Sequence, residues 1–249
     1  MINKRLLVLI LSVVFAFTIV AVGFFALSSN KVELNLVTFE ESTDRVERLE
    51  RDLDQFKDKN FLFVDTDEVK GIVESDPYLE CISVKKKFPD KIIVEAKERR
   101  EVYYLTYQEK NYLLNEKGFV LSETDKEINR NLIKLNLVGV GISAISVGSV
   151  IQTTSSVMND LFSMTELVNS TDCVREMTVE DKVVQTDVIY DTYTNVKIRI
   201  VDAGNQGNAK ADKAFLVYDN EAKDYVKSFN ELKVYLENGF PVAVWTRHS

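Results

Sequence analysis

The longest apolar segment of the sequence lies near its start, where residues 6–27 contain no charged side chain. These 22 residues span roughly 33 Å as a helix, close to the thickness of a bilayer core. The pattern predicts a transmembrane signal anchor at 6–28 behind a tail at 1–5. Lys4 and Arg5 precede the segment, so the positive-inside rule places the tail in the cytoplasm and the remainder outside, as a single-pass type II protein. The alternative is a cleaved signal peptide, although its apolar region is usually shorter.

Residues 31–99 have the apolar spacing of a small α+β domain. Val32, Leu34 and Leu36 alternate with polar residues and indicate a strand. Two apolar stripes at helical spacing follow, at Val46, Leu49, Leu53 and Phe56 and at Val69, Ile72 and Val73. Two further strands are predicted, with one face carrying Ile82, Val84 and Phe88 in the first and Ile92, Val94 and Ala96 in the second. The order β-α-α-β-β predicts a three-stranded sheet with two helices.

Residues 100–249 change to many short strands, which predicts a mostly antiparallel β domain with one or two helices. The helices are expected from Ser155 or Ser156 to Val168 and over 208–218. The clearest hairpin is the last one, because Asn238-Gly239 suits a turn with positive φ between two alternating segments.

Composition excludes several classes of function. The 249 residues include 31 Lys and Arg against 39 Asp and Glu, for a net charge of −8, which argues against a nucleic-acid partner. The single histidine, His248, leaves no base for a Ser-His-Asp triad and no histidine-rich metal site. Cys81 and Cys173 lie in different predicted domains, so we expect two free thiols rather than a disulfide.

Two local motifs suggest chemistry that their surroundings contradict. Ser83-x-x-Lys86 has the spacing of a serine acyl-enzyme, but residues three apart on a strand point to opposite faces. Asp65, Asp67 and Glu68 lack the spacing of a calcium loop, and helix capping explains them better. We therefore expect no catalytic residue, metal, cofactor or small-molecule substrate.

A series of short motifs is similar to the FtsQ/DivIB family of bacterial cell-division proteins. It comprises Asn60-Phe-Leu-Phe-Val-Asp65, Asp76-Pro-Tyr-Leu79, Val84-Lys-Lys-Lys-Phe-Pro-Asp-Lys-Ile92, Val94-Glu-Ala-Lys-Glu-Arg99 and Tyr112-Leu-Leu-Asn-Glu-Lys-Gly-Phe-Val-Leu121. The resemblance implies a signal anchor, a POTRA domain at 31–99 and a β domain at 100–249. It also implies a non-enzymatic scaffold of the divisome in the plasma membrane at the division septum, which links and regulates septal peptidoglycan synthesis.

The partners implied by the resemblance are membrane proteins of the FtsB/DivIC and FtsL type, with the lipid bilayer contacted through residues 6–28. In the family the last strand of the β domain offers its edge to a partner strand. The corresponding residues here are Tyr235, Leu236, Gly239, Val242 and Trp245. The alternative for Trp245 is that it closes the core of the β domain.

Lys85, Lys86 and Lys87 form a candidate contact patch on the POTRA domain, with a solvated strand face as the alternative. Two other classes of function stay open from sequence. One is a membrane-anchored extracytoplasmic enzyme, such as a peptidase or a cell-wall hydrolase, and the other is a ligand-sensing ectodomain.

Overall fold

A computed structural model describes residues 4–26, 31–37, 43–88, 90–128, 131–155, 157–158, 161–162, 173–182, 184–225 and 228–247. The chain divides into two compact units, Met1–Arg99 and Arg100–Ser249. The first unit begins with α1 (Lys4–Ala26). Its described side chains, at 8–23, are almost all exposed, as in Phe17 at 77%. Within the part of the chain that is described, no helix is both long enough and apolar enough to cross a membrane.

The rest of the first unit has the predicted β-α-α-β-β order. Its elements are β1 (Lys31–Val37), α2 (Thr43–Leu53), the 3₁₀ turns Asp54–Phe56 and Phe61–Phe63, α3 (Thr66–Val73), β2 (Leu79–Lys87) and β3 (Lys91–Glu98). The sheet order is β1-β3-β2, with β1 parallel and β2 antiparallel to β3. The core is formed by the predicted stripes, including Leu49, Leu53, Phe56, Val69 and Val73. Asp65 caps α3 by accepting from the backbone N–H of Asp67 at 2.9 Å.

The prediction that Ile82, Val84 and Phe88 share one face of β2 is wrong, because a bulge inserts one residue. Cys81 lies opposite Ala96 and Ser83 opposite Glu95, which leaves Ile82 without a partner in the β3 ladder. The bulge shifts the two-residue alternation, so Cys81 and Val84 pack against the core while Ile82 is 55% exposed. Phe88 lies beyond the end of β2 and is 76% exposed.

The second unit is built on a nine-stranded sheet with the order β14-β13-β12-β11-β10-β7-β4-β5-β6, and β8 and β9 pair separately. Its elements are β4 (Tyr103–Tyr107), β5 (Lys110–Leu114), β6 (Val120–Thr124), β7 (Ile133–Val138), β8 (Ile142–Ala144), β9 (Gln152–Thr153), β10 (Val174–Asp181), β11 (Thr186–Thr192), β12 (Lys197–Ile200), α4 (Gly207–Tyr225), β13 (Glu231–Glu237) and β14 (Phe240–Thr246).

This sheet is mixed rather than simply antiparallel. Of the neighbouring pairs described, β4·β7, β7·β10 and β12·β13 are parallel, and the other pairs are antiparallel. The β12·β13 pair is parallel because α4 forms the crossover between the two strands. Of the predicted helix at 155–168, Met158, Leu161 and Phe162 are buried, while Ser156, Met164 and Val168 lie outside the described residues.

Helix α4 covers one face of the sheet at its β12–β14 end. Its Ala211, Ala214, Phe215 and Tyr218 belong to the same buried core as Ile198, Ile200, Leu232 and Val234 of the strands. The sequence predicted a helix only to residue 218, and the helix continues to Tyr225. The additional turns lie beside β14, because Ala222 packs on this core and Glu221 bonds to Trp245.

Candidate functional site

The candidate site is the last strand, β14, which ends the nine-stranded sheet. It pairs with β13 without a register shift, from Glu237 opposite Phe240 to Glu231 opposite Thr246. Asn238 and Gly239 form the two-residue turn between them, with φ values of 52° and 81°. Among the described residues, no strand pairs with the outer edge of β14.

The hydrogen bonds between β12 and β13 determine to which side the main-chain N–H and C=O groups of each β14 residue point. The carbonyls of Asn230 and Val234 accept hydrogen bonds from residues 197 and 201, on the β12 side. Main-chain groups alternate along a strand, so the odd-numbered residues of β13 bond to β14. Their register partners in β14 are the even-numbered residues. The main-chain groups of Pro241, Ala243 and Trp245 therefore face the free edge.

Pro241 fits this arrangement, because proline lacks a backbone N–H and its position in β14 does not donate to β13. The free edge consequently presents three carbonyl groups, from Pro241, Ala243 and Trp245, and two N–H donors, from Ala243 and Trp245. A strand that pairs here would form hydrogen bonds to these groups.

The five residues predicted for the edge divide between the two faces of the sheet. Trp245 lies opposite the buried Leu232 and therefore shares its face with α4, as does Leu236. Tyr235 and Val242 lie opposite each other on the other face. Gly239 is in the exposed turn, where its positive φ suits glycine. The structure brings the five onto one hairpin, but not onto one surface.

Trp245 has contacts on the α4 face that hold it in place. Its ring stacks on Tyr225 with ring centres 5.5 Å apart and planes 14° apart. Its indole nitrogen donates a hydrogen bond to Glu221 at 3.0 Å. Trp245 is only half-buried, and it packs against the core of the unit. The side chain therefore supports the hairpin, while its main chain faces the edge.

On the opposite face, β14 presents an apolar stripe that sequence reasoning missed in part. Phe240 is 72% exposed and Val244 is 38% exposed, and both share this face with Val242. Tyr235 of β13 adjoins them. We call Phe240, Val242 and Val244 the outer stripe. Their two-residue spacing from Val242 was the sequence signal for the other two members.

A network of ion pairs supports β13 on the same face as the outer stripe. Arg199 bonds to Glu231 at 2.9 Å, to Glu180 at 3.1 Å and to Asp187 at 3.4 Å. Glu231 also accepts a hydrogen bond from the hydroxyl of Thr246 in β14 at 3.1 Å. The network therefore connects four neighbouring strands, β10 to β13, with the edge strand.

The three lysines of the predicted POTRA patch do not form one surface. Lys86 donates to the carbonyl of Leu62 at 3.2 Å. Lys85 instead pairs with Glu95 at 3.2 Å on the open face of the sheet. Lys87, two residues further along β2, lies on the same face. Ser83 donates to the same Glu95 at 2.6 Å, which separates it from Lys86 by the thickness of the sheet. Ser83 and Lys86 therefore do not have the geometry of an acyl-enzyme pair.

Comparisons with known proteins agree on one family. Residues 45–99 match the family described as POTRA domain, FtsQ-type. The cell division protein DivIB of Clostridium tetani (strain Massachusetts / E88) is 26% identical over 161 residues, covering 64% of this chain and 59% of that protein. DivIB of Clostridium acetobutylicum is 36% identical over 81 residues, covering 32% of each chain. The chain thus spans about three-fifths or less of the length of these curated relatives.

A solved structure is also similar, that of the major extracytoplasmic domain of the trans isomer of DivIB from Geobacillus stearothermophilus. The match covers 51% of this chain and 97% of that one, at 13% identity and a TM-score of 0.32. At this score the structural similarity adds nothing to the assignment, which depends on the sequence matches.

Proposed function

We propose that this protein is a non-enzymatic scaffold of the divisome, because the chain belongs to the FtsQ/DivIB family of cell division proteins and has an FtsQ-type POTRA domain. It binds the ectodomains of DivIC-type (FtsB-type) and FtsL-type membrane proteins and thereby links and regulates septal peptidoglycan synthesis.

The observation that supports this proposal is the free edge of β14. Edge strands are usually blunted by bulges, charges or covering elements, because unpaired main-chain groups bind other chains. β14 has no register shift against β13, and its outer stripe is apolar. A partner strand added here gains main-chain hydrogen bonds from Ala243 and Trp245 and apolar contacts from the outer stripe. Pro241 limits the donors to the C-terminal half of the strand.

The variant Ala243→Pro tests this edge, because it removes an outward N–H without removing a bond to β13. We expect at least about a ten-fold loss of affinity for the DivIC-type partner, from one lost hydrogen bond and the steric conflict with the ring. The full chain and the partner are co-expressed, purified in detergent and compared by quantitative pull-down. Ala243→Gly, which keeps the N–H, is the matched control and retains binding. Equal affinity of both variants, with unchanged circular dichroism, contradicts binding at the β14 edge.

The membrane part of the proposal is supported by the apolar surface of α1. Its exposed side chains include Phe15 at 69%, Phe17 at 77% and Val20 at 69%, which in water would be unfavourable. A bilayer around residues 6–28 covers them. In dividing cells of the native host, a fluorescent fusion to the N-terminus should form a band at midcell. A uniform membrane signal from a functional fusion contradicts the septal role and leaves the anchor intact.

A further inference from the structure

Three lysines lie side by side across one end of the POTRA sheet. The register places Lys31 opposite Lys91 and Lys91 opposite Lys87, so the side chains share the open face of the sheet. We call Lys31, Lys87 and Lys91 the lysine row. Lys31 and Lys87 are exposed, and the side chain of Lys91 is 37% exposed.

Two carboxylates lie near the lysine row and do not neutralise it. Glu33 accepts a hydrogen bond from Lys91 at 2.5 Å. This bond and the charge of Lys91 lower the pKa of Glu33, and the charges of Lys31 and Lys87 lower it further. The hydrogen bond and charge of Glu33, and to a smaller extent the charge of Asp90 in the turn between β2 and β3, raise the pKa of Lys91. Three positive groups therefore face two negative ones, and the end of the sheet stays positive.

Exposed apolar side chains surround the same end. Phe88 directly follows Lys87 in the sequence and is 76% exposed. Leu62 and Phe63 are 50% and 72% exposed, and the carbonyl of Leu62 accepts a hydrogen bond from Lys86, which lies near the end of β2 on the face opposite the lysine row. Lysines next to exposed aromatic and aliphatic side chains are typical of surfaces that contact lipid headgroups.

The covalent chain keeps the lysine row close to α1. The helix ends at Ala26 and β1 begins at Lys31, so five residue steps join them. An extended chain covers at most about 3.6 Å per residue, which keeps Lys31 within about 18 Å of the end of the helix. If α1 is in the bilayer, the lysine row is the end of the sheet that lies nearest to the membrane surface.

We propose that this end of the POTRA domain docks on the anionic outer surface of the bilayer, with the lysine row on lipid phosphates and Phe88 at the headgroup boundary. The inference rests on the membrane anchor of the proposed function. Each lysine near an anionic surface strengthens binding about five-fold, and this attraction falls off over about one Debye length from the surface. The net acidic charge of the chain repels the same surface, so only a local positive region can be held there.

The test places a single tryptophan at position 88, as Phe88→Trp in a Trp245→Phe background. The full chain is reconstituted in nanodiscs that contain either brominated phosphatidylglycerol or brominated phosphatidylcholine, and bromine quenching of the indole is measured. The matched control is Ile82→Trp in the same background, because Ile82 is also exposed and lies toward the other end of β2. We expect strong quenching at position 88 in the anionic discs only, and little at position 82 in either.

The double variant Lys31→Gln, Lys87→Gln should weaken docking about 25-fold and lower the quenching at position 88 to that at position 82. Lys110→Gln, Lys117→Gln makes the same change of charge in the other unit and should preserve the quenching. A chain that stays in the disc but shows equal quenching at positions 88 and 82 overturns the docking alone. A chain that does not stay in the disc overturns both the docking and the anchor.

Discussion

Trp245 of the edge strand donates its indole N–H to the carboxylate of Glu221, 3.0 Å away at the end of α4. The bond joins the last strand of the sheet to the helix that covers it, and the stacking of Trp245 on Tyr225 strengthens the same junction. The side chain of Trp245 therefore stabilises the hairpin, and in the proposed binding mode Trp245 would contact a partner strand through its main chain.

We expect Trp245→Ala to lower the free energy of unfolding of the second unit by about 2 kcal/mol, below the cost for a fully buried aromatic. Trp245→Phe keeps most of the packing and should cost about 1 kcal/mol for the lost hydrogen bond. Phe240→Ala is the control, because Phe240 is 72% exposed, and it should change stability by less than about 0.5 kcal/mol. Urea unfolding of the full chain in detergent, followed by circular dichroism, measures all three. Equal stability of Trp245→Ala and Phe240→Ala contradicts this role of the indole.

The outer stripe should affect binding without affecting stability. Phe240→Glu and Val244→Glu place a charge where the apolar side chains of a partner strand would pack, and each should weaken binding to the DivIC-type partner about ten-fold. Val184→Glu is the control, because Val184 is 92% exposed and lies outside β14. Pull-down with the full chain measures affinity. If the control weakens binding as much as the stripe variants, net charge rather than the stripe is responsible.

Two buried tyrosines should respond in opposite ways to loss of the hydroxyl group. The hydroxyl of Tyr190 is buried and has no hydrogen-bond partner among the described residues, and burial raises its pKa. Tyr190→Phe removes this unpaired group and should raise the free energy of unfolding by about 1 kcal/mol. The hydroxyl of Tyr218 bonds to that of Thr194 at 2.6 Å, so Tyr218→Phe should lower it by a similar amount. Urea unfolding decides, and a loss of stability in Tyr190→Phe would show that its hydroxyl has a partner in solution.

The ion-pair network should make the second unit sensitive to acid through Asp187. Burial tends to raise the pKa of Asp187, but hydrogen bonds from Lys182 and from the backbone N–H of residue 202, with the charge of Arg199, outweigh it and lower the pKa. A carboxyl with a lowered pKa stabilises the fold above its unfolded pKa of 3.8 and loses that contribution as the pH falls through the folded pKa.

Asp187→Asn should therefore be less stable than the unmodified chain at pH 7, and the difference should shrink as the pH falls below about 4. Unfolding free energies at pH 7, 5 and 3.5 measure this dependence. Asp219→Asn, on α4 and exposed, removes the same charge outside the ion-pair network and is the matched control. A constant difference between Asp187→Asn and the unmodified chain at all three pH values contradicts the role of the charge.

Alternation predicted the strands well where the pleat is regular and failed where a bulge interrupts it. The inward residues of β3 are the predicted Ile92, Val94 and Ala96, because β3 alternates without a break. β2 contains a bulge at Ile82, and its inward face was predicted wrongly. β10, which lies inside the nine-stranded sheet, was not predicted at all, since a register shift between Val174 and Glu176 interrupts its apolar alternation.

The edge hairpin was predictable because its alternation is also unbroken, but the assignment of its residues to the two faces of the sheet was not. Asn238-Gly239 and the flanking alternation specify the turn and the strand pairing. Which face of the hairpin is covered depends on α4, whose contact with Trp245 joins residues far apart in sequence. Main-chain direction at the edge depends on the parallel pairing with β12, and its local sequence signal is Pro241, which has no backbone N–H to donate.

The extra residue at Ile82 has a consequence for how copies of the protein meet. Copies anchored in a membrane as proposed would meet in two dimensions, where two matching sheet edges can pair. The edge strand β2 resists this, because its bulge breaks the regular spacing of main-chain groups and its lysines repel the same edge of a neighbouring copy. This edge of the POTRA sheet is therefore a poor template for pairing with the same edge of a second copy.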